Sequence, residues 1–112
     1  GDSQLSEPAK QAILCAENKK YVSMASIGEV AIKISLHKLS FNGNITGFLK
    51  LIDDNGFDLL PIDKEHVIEL ERLPCFHRDP FDRVLIAAAI SEKMSMITID
   101  KNIRLYPLDY IW

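Results

Sequence analysis

Residues 77–90, HRDPFDRVLIAAAI, most constrain what this chain can fold into. Asp79 sits where a helix N-cap belongs, Pro80 at the first helical position and Asp82 three residues past the cap. From Val84 to Ile90 the segment is wholly apolar, the pattern of a helix buried against a sheet. The segment therefore predicts a helix that opens on carboxylates and then disappears into a core. Asp82 and its neighbours have two readings, as a helix-terminal charge or as ligands of a metal.

The flanking sequence supplies the sheet. Leu5-Ser6-Glu7-Pro8 opens a helix that is expected to run to about residue 18, with Ser6 as cap and Ala9, Ala12, Ile13 and Ala16 as a narrow apolar stripe. Tyr21-Val22-Ser23-Met24 reads as a short strand, and Ser26 with Glu29 three residues on reads as a capping box ahead of a helix to about residue 38. A third helix is expected over 45–54, closed by Asn55-Gly56 in a left-handed cap. Leu59-Leu60-Pro61-Ile62 reads as an edge strand, because Pro61 cannot donate to a ladder. Asp63 caps a fourth helix that Leu73-Pro74 stops. After the helix that starts at Pro80 comes Met96-Ile97-Thr98-Ile99, an apolar run of the kind buried on both faces, and then Asp100. A helical turn over 101–105 and a last strand over 109–112 complete the chain. Strands that alternate with helices predict an α/β domain with a parallel sheet, one domain over residues 1–112.

The 112 residues are 47% hydrophobic, enough to bury a core without a staple. Cys15 and Cys75 are the only cysteines, with no CxxC and no secretory apolar segment, which points to a reducing cytoplasm. The longest apolar run is too short for a bilayer. A net charge of −3 argues against a broad basic surface for duplex DNA. The chain begins Gly1-Asp2-Ser3 without an initiator Met, as a processed product, a fragment or a chain with an added residue would.

In a parallel α/β sheet, helix N-termini and the carboxyl ends of strands share one edge, which is where ligands bind. Glu29, Asp82 and Asp100 are all expected at that edge, from segments distant in sequence. Each acid also sits where a helix start favours an anion by up to about 1 kcal/mol, so a capping role accounts for any one of them alone. A gathering of acids repels itself unless a cation neutralises it. Carboxylates without His or Cys in ligand spacing suit Mg²⁺ or Mn²⁺ rather than zinc, and His37, His66 and His77 form no HExxH-type pattern. No GxxxxGK[ST], GxGxxG or GxSxG is present, which removes the usual nucleotide, dinucleotide and serine-hydrolase readings.

Three stretches, SMASIGEVAIK at 23–33, HRDPFDRVLIA at 77–87 and Thr98-Ile99-Asp100, resemble the PIN domain, specifically the VapC-like toxins of type II toxin–antitoxin systems. The similarity runs from Leu5 to the final strand. It implies a PIN-like three-layer α/β/α sandwich around a central parallel sheet, and a Mg²⁺- or Mn²⁺-dependent endoribonuclease held in check by a cognate antitoxin. Carried over position by position, Glu29, Asp82 and Asp100 match the metal-binding acids, Thr98 a small hydroxyl residue beside the last acid, and Asp79 a peripheral acid. Lys33, Arg78 and Arg83, with Lys101 and Arg104, are candidates to meet RNA phosphates around such a site, while solvated surface charge is the bland reading of each.

The resemblance also sets an expectation about the start of the chain. Family members begin with a hydrophobic central strand that ends in a first acid, and this sequence starts just after that point. The expectation is a missing strand supplied by the native gene, by a neighbouring chain or by a rearranged segment, with weakened metal binding and little nuclease activity meanwhile. Leu36, Leu39, Phe41, Ile45, Phe48 and Leu49 offer more apolar surface than a small sheet needs, a candidate groove for an antitoxin helix or for a homodimer. The competing reading is a metal-free, PIN-like binding module for protein or RNA whose acids are helix caps.

Overall fold

A computed structural model describes residues 6–38, 43–76, 79–98, 100 and 102–112. The chain separates into two compact units, one formed by Gly1–Asn18 with Asp63–Trp112 and the other by Lys19–Ile62.

The smaller unit is built as strand, two helices, strand. β1 (Tyr21–Ser23) pairs in parallel with β2 (Asp58–Leu60), with Val22 opposite Leu59. α2 (Met24–Ser35) leaves β1 without an intervening turn, because Ser23 both ends the strand and caps the helix, its hydroxyl accepting from Ala25 N at 3.1 Å. The SxxE capping box expected at Ser26 and Glu29 is therefore corrected: both lie inside the helix, which starts upstream of them and ends at Ser35, before the expected residue 38. α3 (Ile45–Asp54) has the bounds its sequence predicts, with Asn44 Oδ1 accepting from Gly47 N at 3.1 Å. Its end uses Gly56 at φ +78°, a left-handed conformation that costs glycine nothing. β2 stops at Leu60, ahead of Pro61, so the proline stays out of the ladder.

The larger unit holds α1 (Glu7–Leu14), α4 (Lys64–Arg72), α5 (Pro80–Glu92), and β3 (Met96–Ile97) in parallel with β4 (Tyr110–Ile111). A 3₁₀ turn (Ile103–Leu105) lies between these strands. α1 is shorter than its composition predicts: Cys15 leaves helical backbone, and Asn18 Nδ2 donates back to Ala12 O at 2.9 Å. β3 is likewise shorter than the apolar run, and Ile97 is exposed while Met96 is buried, so one face of the strand enters the core and not both.

That core gathers Leu73, Ile86, Met96, Ile103 and Tyr106, with Leu70, Leu85, Ile90 and Leu108 against it. Ile86 is fully buried, which stabilises the fold by roughly 2–3 kcal/mol relative to an exposed side chain. Ala87, Ala88 and Ala89 are buried too, so α5 is enclosed on more than one face, as its uninterrupted apolar sequence requires. The parallel pairing expected from the alternation of strands and helices is present in both units.

Candidate active site

The start of α5 is fixed by Asp79. Its Oδ1 accepts from Phe81 N at 2.9 Å and from Asp82 N at 3.1 Å, with Pro80 filling a position where no donor is needed. Asp79 thus does the capping. The neighbouring Asp82 is half-buried in the first turn and receives its placement from that cap. Asp100 follows β3 in the same unit. Its N–H donates to Thr98 Oγ1 at 3.0 Å, and its Oδ1 accepts from Asn102 N at 2.9 Å, an Asx turn that leads into the 3₁₀ turn. Thr98 and Asp100 are therefore joined directly.

Glu29 belongs to the other unit, in the second turn of α2. The free N–H groups at the start of that helix are remote from it, so the helix-cap explanation that suits a first-turn acid does not extend to Glu29. Its carboxylate pairs with Lys33 Nζ at 3.3 Å across one helical turn, with roughly a third of its side chain exposed. A solvated pair of this kind contributes only about 0.3–0.5 kcal/mol.

Of the cations expected to meet substrate, Lys33 is engaged by Glu29, and Arg78 and Lys101 lie outside the described residues. Arg83 turns inward. Its Nη1 donates to Pro74 O at 3.0 Å and to Tyr106 Oη at 3.2 Å, and its Nη2 donates to Leu73 O at 3.3 Å. Tyr106, itself buried, also accepts from Phe76 N at 3.1 Å and meets the Phe76 ring edge-on at 5.0 Å. One guanidinium thus ties the segment after α4 to the body of the larger unit.

A second constellation escaped the sequence pattern. Asp63 caps α4 by accepting from His66 N at 3.2 Å, while His66 Nδ1 accepts from Asp63 N at 3.3 Å, a capping box with histidine in place of Glu or Gln. The His66 ring is almost completely buried, and its Nε2 lies 2.8 Å from Glu92 Oε2 and 3.6 Å from Asp63 Oδ1. These three side chains can present ligand atoms within 4.8 Å of one another, the composition of a mixed nitrogen and oxygen metal site. Their hydrogen bonding points elsewhere. An Nδ1 that accepts a backbone N–H leaves the ring proton on Nε2, directed at Glu92. Binding a cation through Nε2 would move that proton to Nδ1, face to face with Asp63 N–H. The trio therefore acts as a hydrogen-bonded link from the start of α4 to the end of α5, with the buried His66 ring at its centre.

A hard divalent cation favours oxygen ligands, and the larger unit carries Asp82 at the start of α5 and Asp100 after β3, while Glu29 belongs to the smaller unit. The PIN domain family model matches residues 1–107 of this chain. The protein belongs to the PIN domain family. Comparison with curated proteins returns no significant match. PIN domains are in general metal-dependent nucleases, which gives the acids of this PIN domain a chemical context. Among the described residues, no helix is long and apolar enough to cross a membrane.

Proposed function

We propose that this PIN domain protein is a Mg²⁺- or Mn²⁺-dependent endoribonuclease of the VapC-like toxin type, acting in the cytoplasm and inhibited by a cognate antitoxin. The observation that carries the nuclease reading is the family match over residues 1–107, together with two acids that local capping does not require. Asp79 caps α5 and Ser23 caps α2, so neither Asp82 nor Glu29 is needed for that purpose.

In this reading Asp82 and Asp100 are metal-binding acids of the larger unit, Glu29 is the further acid that the family resemblance adds, and Asp79 and Thr98 position their neighbours through the N–H groups of Asp82 and Asp100. When bound, the cation supplies Lewis acidity and a nucleophilic water for in-line attack on a phosphodiester. Asp100 keeps one carboxylate oxygen in its Asx turn, which restrains the side chain's rotation and so the direction of the other oxygen. Lys33 and Arg78 are the candidates to balance substrate charge. Arg83 supports the fold of the larger unit.

For the partner, support comes from the helical pair of the smaller unit. Leu36 is 56% exposed and Leu51 49% exposed, and Ile45, Phe48 and Leu49 are half-buried, while Leu39 and Phe41 lie outside the described residues. An apolar helix face of this kind suits an amphipathic antitoxin helix or a second copy of the chain. Phe48→Asp is expected to lower antitoxin affinity or shift the oligomeric state in ultracentrifugation; neither change would dispose of that surface.

The nuclease itself is tested by incubating single-stranded RNA with the full-length protein in Mg²⁺ or in EDTA. Cleavage that requires the cation and is lost in Asp82→Asn supports the reading. RNA decay that is equal in EDTA and in Asp82→Asn favours a PIN-like binding module whose acids do no chemistry.

A further inference from the structure

Two arginines of the larger unit are used in opposite ways. Arg83 spends its guanidinium edge on two carbonyls and a phenol, as described above. Arg104, in the 3₁₀ turn just beyond Asp100, lies over an aromatic ring instead: its Cζ is 4.7 Å from the centroid of Tyr110 on β4. Stacking uses the face of a guanidinium and leaves its in-plane N–H donors unspent. Arg104 Nε is buried and, among the described residues, has no hydrogen-bond partner. A buried donor without an acceptor is disfavoured, and native structures keep such groups rarely and with reason. Tyr110, at 45% exposure, also leaves part of its ring open to solvent.

We propose that Arg104 and Tyr110 form a nucleotide-holding pair for single-stranded RNA, with the guanidinium edge taking a phosphate and the tyrosine ring stacking on a base. The proposal rests on the ribonuclease reading and assigns that reading a substrate contact outside the acids. A carboxylate ligand would satisfy the guanidinium alone and leave the ring idle, whereas a nucleotide carries both an anionic oxygen and a π-face. Because the ring already restrains the guanidinium, less side-chain entropy is lost when the phosphate arrives. The chain places Arg104 in the 3₁₀ turn just past Asp100, where Asn102 N donates to Asp100 Oδ1, and Tyr110 follows on β4. Asp100 and Arg104 are thus four positions apart in the chain, one side chain suited to a cation and the other to the polyanion.

The probe is a fluorescein-labelled single-stranded RNA 12-mer, read by fluorescence anisotropy on the full-length protein in EDTA, so that binding is separated from cation chemistry. Arg104→Gln and Tyr110→Leu are each expected to weaken binding about tenfold, and Tyr110→Phe to change it less than about twofold, because stacking needs the ring and not the hydroxyl. Arg104→Lys keeps the charge but not the stacked fork and is expected to fall between. Arg104→Gln should also flatten the salt dependence of log K by about 0.7. Melting curves report whether each variant folds, and the two conservative variants keep the comparison alive if the truncations do not. Wild-type affinity in folded Arg104→Gln and Tyr110→Leu, or no RNA binding by the wild type, overturns the pair. Binding that depends on Arg104 without any cation-dependent cleavage keeps the pair and removes the nuclease; cleavage that ignores Arg104 and Tyr110 in both KM and affinity does the reverse.

Discussion

Replacing His66 by alanine tests how the larger unit is held together. The ring is almost fully buried, and burial of a side chain of that size contributes on the order of 1.5–2 kcal/mol. Its Nε2 bond to Glu92, whose side chain is 36% exposed, adds about 1.5 kcal/mol, at the low end for a charged acceptor because solvent reaches the carboxylate. Loss of the Nδ1 acceptor weakens the capping box by about 0.5–1 kcal/mol. Together these come to about 4 kcal/mol. For a chain of 112 residues the unfolding entropy is about 0.24 kcal/mol/K, so His66→Ala should lower Tm by roughly 15 °C in a thermal melt followed by circular dichroism. Glu92→Gln retains an acceptor for the Nε2 proton and should cost less than about 1 kcal/mol. The reasoning is refuted if His66→Ala melts within a few degrees of the wild type. It is also refuted if Zn²⁺ raises the wild-type Tm by several degrees and Glu92→Gln abolishes that rise, since the trio would then be a cation site and not a hydrogen-bonded link.

Asp79→Ala removes the acceptor shared by Phe81 and Asp82 N–H and should cost about 1 kcal/mol in urea unfolding, with Asp79→Ser recovering most of it; no change in midpoint would mean that α5 starts on other support. Arg83→Ala should cost about 2 kcal/mol, and Arg83→Lys nearly as much, because one ammonium cannot serve Leu73 O, Pro74 O and Tyr106 Oη from a single position. An Arg83→Lys protein of full stability but reduced RNA affinity would return that residue to the substrate side.

Helix starts were readable where a short polar side chain precedes an apolar period. Asn44, Asp63 and Asp79 each cap the helix that the pattern predicts. The exception is α2, where the SxxE spacing at Ser26 and Glu29 imitates a cap. The true one, Ser23, was hidden because it doubles as the end of β1, leaving no turn residues to mark the boundary. Strand ends were harder, since Met96 and Ile97 pair with β4 while the apolar run continues past them, and apolar character alone carries no information on where a ladder stops. Asp79, Asp82 and Asp100 stand in the local settings their sequence suggests, the cap, the first turn and the turn after a strand, whereas Thr98, expected inside the strand, lies past its end. His66 was not legible as part of a cluster, because its partner Glu92 is 26 residues away and on another helix. Arg83 looked like a surface cation for the same reason: its acceptors are backbone carbonyls and a tyrosine brought near only by folding.

The claim at the centre of this account is that carboxylates of this PIN domain bind a divalent cation. Isothermal titration of Mn²⁺ into the full-length protein, and into its Asp82→Asn and Asp100→Asn variants, tests it most directly. The account predicts saturable binding to the wild type that is weakened at least about tenfold in each variant, with the melting temperature of the cation-free proteins little changed. Equal heats in all three proteins, or none in the wild type, would contradict it.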